Sequence, residues 1–245
     1  MKLYTLALVS SALASSSALA APNLELKYFG ARGAAETARI ILALAGEEFK
    51  DTRFEITPGS MSAPDFLAAK ESGDLDINLG RAPLLLVDGK PIGQSKAIER
   101  YLAKQFGLMG TSDIEAAQID CIAEHCRDVN DSKMKKGFSA FSRGKSEEEK
   151  LEARKEWFES DMPQMLEKIE KAIKITSQKD GYALGENDSY ADVAIFSLLI
   201  DCTMDDKDET RKASEKCALL MSIADRIAKD SKVSKWVECR PKSMF

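Results

Sequence analysis

The 245-residue chain has a single histidine, His125, so any triad or imidazole proton relay has one possible centre. No Gly-x-Ser-x-Gly elbow occurs, which excludes the strand–turn–helix serine nucleophile. The five cysteines (Cys121, Cys126, Cys202, Cys217 and Cys239) are odd in number and irregularly spaced, and none forms a Cys-x-x-Cys pair. That excludes a zinc ribbon and a dithiol redox site. Most are expected to be buried small hydrophobes, with one disulfide among the later cysteines left open. Gly30-Ala31-Arg32-Gly33 lacks both the Lys-Ser/Thr and the spacing of a phosphate loop. Cys121, Glu124, His125 and Asp128 fall at helical spacing, but packed or solvated side chains are expected there rather than metal ligands. Neither sign of charge dominates, with 35 Lys+Arg against 40 Asp+Glu and a formal net charge of −5. Interspersed signs with an acidic balance argue against a nucleic-acid groove and against binding an anionic membrane surface.

What is present begins with the first 20 residues. Met1-Lys2 precedes an apolar and small-residue stretch that ends in Ser17-Ala18-Leu19-Ala20, and polar sequence starts near Asn23. One basic residue, a short hydrophobic run and small residues at its end have the layout of a secretory signal peptide, cut after Ala18 or Ala20. A membrane span needs about 20 strongly apolar residues, and this stretch is mostly Ala and Ser. No later segment is long and apolar enough to cross a bilayer. Entry into the secretory pathway is therefore expected, with secretion or an endomembrane lumen as the destination. Cleavage after Ala20 leaves 225 residues with a formal charge of −6, since Lys2 is the only charge removed. That length suits one large domain or two small ones sharing an interface.

Two regions differ in pattern. In residues 24–107 strands and helices alternate. Leu24-Glu25-Leu26-Lys27-Tyr28-Phe29 alternates like a strand and is broken by Gly30 and Gly33. Residues 34–45 read as a helix with Gly46 as its C-cap, and residues 49–56 as a second strand. A short helix is expected over 60–70 and an acidic loop over 71–78. Residues 83–87 form an apolar run ending in Asp88-Gly89, a hairpin signal, with a short edge strand at 90–92. Gln94-Ser95 opens a helix to about residue 106. The order βαβαββα predicts a mixed four-stranded sheet with helices packed against it. From residue 111 to 245 the pattern is helical, with Thr111-Ser112-Asp113 as an N-cap cluster and long helices over 111–140 and 147–175. Ser189-Tyr190-Ala191-Asp192 reads as a capping box before the apolar run 193–200. The charged segment 147–156 reads as a solvated helix face.

Several motifs resemble one family. Leu26-Lys27-Tyr28-Phe29, then Arg32-Gly33-x-Ala35-Glu36 and Arg39, resemble the N-terminal signature of Sigma-class glutathione transferases. So do Pro83-Leu84-Leu85-Leu86-Val87-Asp88-Gly89 and the run from Gln94-Ser95 through Arg100-Tyr101-Leu102. Ser189-x-Ala191-Asp192 and Trp236-x-x-x-Arg240-Pro241 are similar to the family's later motifs, so the likeness spans about residues 25–242 in order. The resemblance implies a thioredoxin-like α/β N-terminal domain followed by an all-α C-terminal domain. It also implies conjugation of glutathione, as co-substrate and without a metal, to a hydrophobic electrophile by a homodimer, with glutathione-dependent isomerisation and a non-catalytic binding or structural role as alternatives.

The chemistry asked of the residues is consistent with that. A thiol with an ordinary pKa of about 8.5 is little ionised at neutral pH, so a transferase must stabilise the thiolate. Tyr28, at the exposed end of the first strand, carries a phenolic O–H that can donate to a sulfur anion. By periodicity alone it reads as a core tyrosine in register with Leu24 and Leu26, and it is the surrounding family-like signature that favours the catalytic role. Gln94-Ser95 at a helix N-terminus suits a carboxylate, which the family likeness makes the γ-glutamyl one. Ala82-Pro83 resembles the family's cis-proline corner, which would turn the Ala82 main chain toward the peptide. Arg81 matches a basic residue that the family places near the peptide, Phe29 packs either on the ligand or in the core, and Asp128 either matches an acidic residue that in the family reaches the partner subunit's ligand amine or is a solvated helix charge. The chain departs from the family at Ala34, where a second arginine is typical. It departs again at Ala63 and Leu67, the aligned positions of the aromatic and basic residues that hold the glycyl carboxylate.

Overall fold

A computed structural model of the chain describes residues 22–57, 59–60, 62–139, 142–201 and 206–243. The expected signal segment 1–20 and Cys202 lie outside the described residues. The α/β half contains β1 (Leu24–Phe29), α1 (Glu36–Ala45), β2 (Lys50–Phe54), α2 (Pro64–Glu71), β3 (Leu84–Val87), β4 (Lys90–Gly93) and α3 (Ser95–Gln105). The sheet runs β2-β1-β3-β4, with β1 parallel to β2 and antiparallel to β3, and β3 antiparallel to β4. This is the βαβαββα thioredoxin-like arrangement. Central β1 alternates faces. Leu24, Leu26 and Tyr28 join the main core, while Phe29 joins a smaller cluster with Phe54, Leu75 and Leu84 on the other side.

Several boundaries differ from the sequence reading, two of them for a clear physical reason. α2 starts at Pro64 rather than near residue 60. Thr57 and Ser62 pair across a small bridge first, and Pro64 holds Ala63 in an extended conformation (φ −130°, ψ 87°). The expected helix over 147–175 is α5 (Glu147–Glu156) and α6 (Met162–Thr176), joined by a π-turn at Trp157–Asp161. Pro163 has no N–H for a carbonyl four residues earlier, and the widened turn takes up that break in the hydrogen-bond ladder.

The remaining helices are α4 (Asp113–Lys136), α7 (Tyr190–Leu199), α8 (Lys207–Ala213), α9 (Ala218–Lys229) and α10 (Ser231–Cys239). Ser112 caps α4 by accepting from the Glu115 N–H, and Gly137 at φ +67° ends it. Ser189 and Asp192 form the expected capping box at α7. Asp192 is buried outright, where it also accepts from the Ala183 N–H and pairs with Arg226. Burial raises its pKa, and Ser189, Ala183 and Arg226 oppose that rise.

The two halves share one hydrophobic core. Leu26, Ile41, Leu85 and Leu102 belong to the same cluster as Ile122, Leu166, Ile195 and Ile223. Each such side chain contributes about 1.5–3 kcal/mol of burial. One buried polar contact also crosses the join: the Tyr190 hydroxyl on α7 donates to Glu99 on α3 at 2.5 Å. Burial raises the Glu99 pKa, while Lys96 and Tyr190 hold it down in part.

Candidate active site

Tyr28 is half-buried at the C-terminal end of β1, and its ring packs against the main core. The chain then turns through a loop and a 3-10 turn (Gly33–Ala35) into α1. That turn brings the Ala34 N–H to the Tyr28 hydroxyl, which accepts it at 3.1 Å. The contact explains why glycine stands at position 33. Its φ is +41°, and a Cβ there would lie 2.5 Å from the Tyr28 oxygen. With its oxygen accepting a main-chain N–H, the phenol keeps its own proton for donation, and the accepted bond strengthens that donation.

A buried charge network lies behind the loop. The Arg39 guanidinium, fully buried, stands 6.0 Å from the Tyr28 ring centroid. It donates to the Ala31 carbonyl at 2.7 Å and to Glu36 and Asp51 at 3.1–3.2 Å. Glu36, at the start of α1, also accepts from Trp236 Nε1 at 2.8 Å and from Arg240 at 2.7 Å. Arg240 further grips Asp201, and Arg32 of the loop lies 3.7 Å from the same carboxylate. Burial opposes the charge on Arg240, but Asp201 and Glu36 outweigh it and push its pKa up.

The other end of the site is built on Asn78. The Ala82-Pro83 bond is cis. The Asn78 amide nitrogen donates to the carbonyls of Arg81 (3.0 Å) and Pro83 (2.9 Å), and its oxygen accepts from the Gln94 N–H at 3.1 Å. One buried side chain thereby ties the proline corner to the start of α3. Gly93 makes room for it, since a Cβ there would lie 2.7 Å from the Asn78 Cβ. Gln94 takes a positive φ of 67°, and Ser95 follows as the first residue of α3. Among the described residues the Ala82 N–H and C=O have no hydrogen-bond partner.

This arrangement matches known proteins along nearly its whole length. Residues 24–104 match the family model described as the glutathione S-transferase N-terminal domain, and residues 132–240 match the corresponding C-terminal domain. Glutathione S-transferase 3 of Caenorhabditis elegans is 30% identical over 224 residues, covering 90% of this chain and 98% of that protein. The chain belongs to the glutathione S-transferase family. A Nu-class glutathione transferase from Haemonchus contortus superimposes with a TM-score of 0.73 at 28% identity, covering 91% of this chain and 100% of that one. Hematopoietic prostaglandin D synthase of Gallus gallus is 29% identical over 224 residues, covering 91% of this chain and 98% of that protein.

The transferase fold brings some of the expected site residues to two corners and holds others apart. Tyr28 is at one corner; Ala82, Pro83, Gln94 and Ser95 are at the other. Arg81 is exposed beside the second, its N–H donating to the Asn78 carbonyl at 3.1 Å. Phe29 points to the opposite face of β1, where its ring packs on Phe66 (4.9 Å between centroids) and Phe54 (6.1 Å). Asp128 is exposed on α4 and has no ion pair or hydrogen bond among the described residues. On the same helix Cys121 Sγ lies 3.4 Å from His125 Nε2, while Glu124 is engaged by Arg100 and Arg127. Cys121, Cys126, Cys217 and Cys239 are free thiols. Asn78 and the Glu36–Arg240 pair are absent from the sequence reading. The only advance signal for Asn78 is an asparagine shortly before an X-Pro corner. The pair spans 204 positions, beyond the reach of any local pattern.

Proposed function

We propose that this protein is a glutathione transferase in which Tyr28 stabilises the thiolate of glutathione for attack on an electrophilic carbon. The observation that carries the reading is the Tyr28 hydroxyl, fixed by the Ala34 N–H with its own proton available to a sulfur anion. In the reaction the thiol proton leaves to solvent and a sulfur lone pair forms the new C–S bond. The leaving group departs with its bonding pair or, in an addition, the acceptor takes up a proton. A hydrogen bond aimed at the sulfur anion acts in a half-buried site, where it outweighs the same bond in water. Ala34 lacks the cation of the family signature, and the support that position gives Tyr28 is its main-chain N–H.

Glutathione recognition rests on the second corner. The N-terminus of α3, with the Ser95 hydroxyl and Gln94, suits the γ-glutamyl carboxylate. The unpaired Ala82 main-chain groups suit the peptide as an added strand, with Arg81 alongside. Ala63 is buried and Leu67 is apolar, so neither pairs with the glycyl carboxylate. The helical half supplies one wall of the electrophile pocket. A Sigma-like homodimer, in which the exposed Asp128 reaches the ligand amine in the partner subunit, completes the reading. The N-terminal 20 residues direct this transferase into the secretory pathway.

The deciding experiment measures glutathione conjugation to a generic aromatic electrophile by the protein and by Tyr28→Phe. Loss of one anion-stabilising donor predicts a fall in kcat of about 100-fold. Activity unchanged in Tyr28→Phe contradicts the role given to Tyr28. No turnover together with no retention on immobilised glutathione favours a non-catalytic binding or structural role. Likeness to the Gallus gallus prostaglandin D synthase supports a second reading, isomerisation by the same thiolate. Turnover of prostaglandin H with no conjugating activity would select it.

A further inference from the structure

The described part of the chain after α10 returns to the start of the site. The Arg32 N–H donates to Ser243 Oγ at 3.3 Å, and Arg240 lies between α1 and the end of α7. The side chains of Arg240, Glu36 and Asp201 are each exposed by less than a tenth. The two carboxylates need Arg240 to offset their burial, and the three side chains form one unit. Through Glu36 that unit continues to Arg39, and Arg39 holds the Ala31 carbonyl of the loop. The loop in turn sets the distance from the Ala34 N–H to the Tyr28 hydroxyl. Gly33 packed on the Tyr28 ring leaves it little slack.

We propose that Arg240 is a positioning residue for Tyr28. From just beyond α10 it clamps Glu36 and Asp201, and so fixes the loop whose Ala34 N–H polarises the Tyr28 hydroxyl. This inference rests on the transferase reading and deepens it by naming what holds the thiol-activating group in place. It separates two functions in space. Among the described residues no hydrogen bond or ion pair joins the Gln94 corner, organised by Asn78, to Arg240. Loss of Arg240 therefore weakens thiolate stabilisation while leaving glutathione affinity nearly intact.

A control is built into α10 itself. Lys232 also ties α10 to α1, donating to the carbonyls of Leu44 (3.1 Å) and Ala45 (3.4 Å) at the end of α1 far from Tyr28. Lys232→Ala loosens the docking of α10 without touching the loop.

The test uses the full chain as parent, Arg240→Gln, Arg240→Lys and Lys232→Ala. It compares the pH profile of kcat/KM, the KM for glutathione, and the ultraviolet thiolate absorbance of bound glutathione. Arg240→Gln is expected to move the acid limb and the thiolate titration up by about one pH unit, a loss of about tenfold on the acid side. The KM for glutathione, read at a pH where the bound thiol is still protonated, should stay within about twofold, because the donor's gain is made with the thiolate. Arg240→Lys keeps the charge but cannot donate to both carboxylates in a planar fork, so it falls between parent and Arg240→Gln. It also carries the test should the glutamine variant not fold. Lys232→Ala should melt at a lower temperature with its acid limb unmoved. Arg240 variants with the parent's profile, or Lys232→Ala shifting as far as they do, overturn the inference alone. A parent with no thiolate signal overturns the transferase reading and this inference with it.

Discussion

The two corners of the site are held in different ways. At Tyr28 the support is charged and long-range, since Arg39, Glu36, Arg240 and Asp201 join β2, α1, α7 and the segment after α10. At Gln94 it is neutral and local, with one amide spanning 16 residues of chain. The corner that must shift a proton equilibrium sits against a field of fixed charges. The corner that must only recognise shape and a carboxylate is set by a single hydrogen-bonded side chain. A charge network acts at a distance through position and potential, whereas an amide acts only where it touches.

Two substitutions test that contrast. The largest effect is expected from Gly33→Ala, which places a methyl against the Tyr28 oxygen at a positive φ. It should lower kcat by about 10- to 100-fold, as for a displaced anion-stabilising donor, with the KM for glutathione little changed. An unchanged kcat would show that the loop does not control Tyr28. Asn78→Ala should do the converse. It raises the KM for glutathione and costs about 1–3 kcal/mol in chemical denaturation, because buried main-chain groups lose their partner. A fall in kcat with KM preserved would erase the distinction between the corners.

Glu99 sharpens the contrast through pH. Its folded pKa lies above the ordinary carboxylate value of 4.5 because the group is buried. Its contribution to stability is therefore complete below that value and is lost as pH climbs through the raised folded pKa. Glu99→Gln keeps an acceptor for Tyr190 and cannot ionise. Parent and variant denatured at pH 4.5 and pH 7 should show the parent losing ground to the variant at the higher pH. A constant difference would contradict a raised pKa. The smallest effect concerns thiols. Burial pushes Cys126 up to about 12 and Cys217 up to about 11, while Cys121 and Cys239 are exposed. Alkylation of the native protein at neutral pH should modify Cys121 and Cys239 before the other two, read by peptide mass mapping.

Much of this architecture is legible in the sequence. Alternation from Leu24 to Phe29, Gly46 after α1, Asp88-Gly89 between β3 and β4, and the Ser189–Asp192 cap each state their geometry within a few residues. Tyr28, Pro83, Gln94 and Ser95 are legible because their motifs are short and ordered. The missing parts depend on distant contacts. Asn78 reads as one polar residue in an acidic loop, and only the folded corner shows that its amide has three partners. Arg240 reads as part of a C-terminal motif, and its contact with Glu36 exists only after α10 packs on α1. The π-turn at Trp157–Asp161 hides in a helical pattern because Pro163 breaks the hydrogen-bond ladder without breaking the periodicity. Phe29 could have faced either side, and the strand's alternation turns it to the smaller cluster once Tyr28 faces the larger one.

The most direct test of the central claim is the ultraviolet titration of glutathione bound to the protein and to Tyr28→Phe. The bound thiol should ionise at least about one unit below the ordinary thiol value of about 8.5 in the protein, and close to that value in the variant. Equal titrations in the two would contradict it.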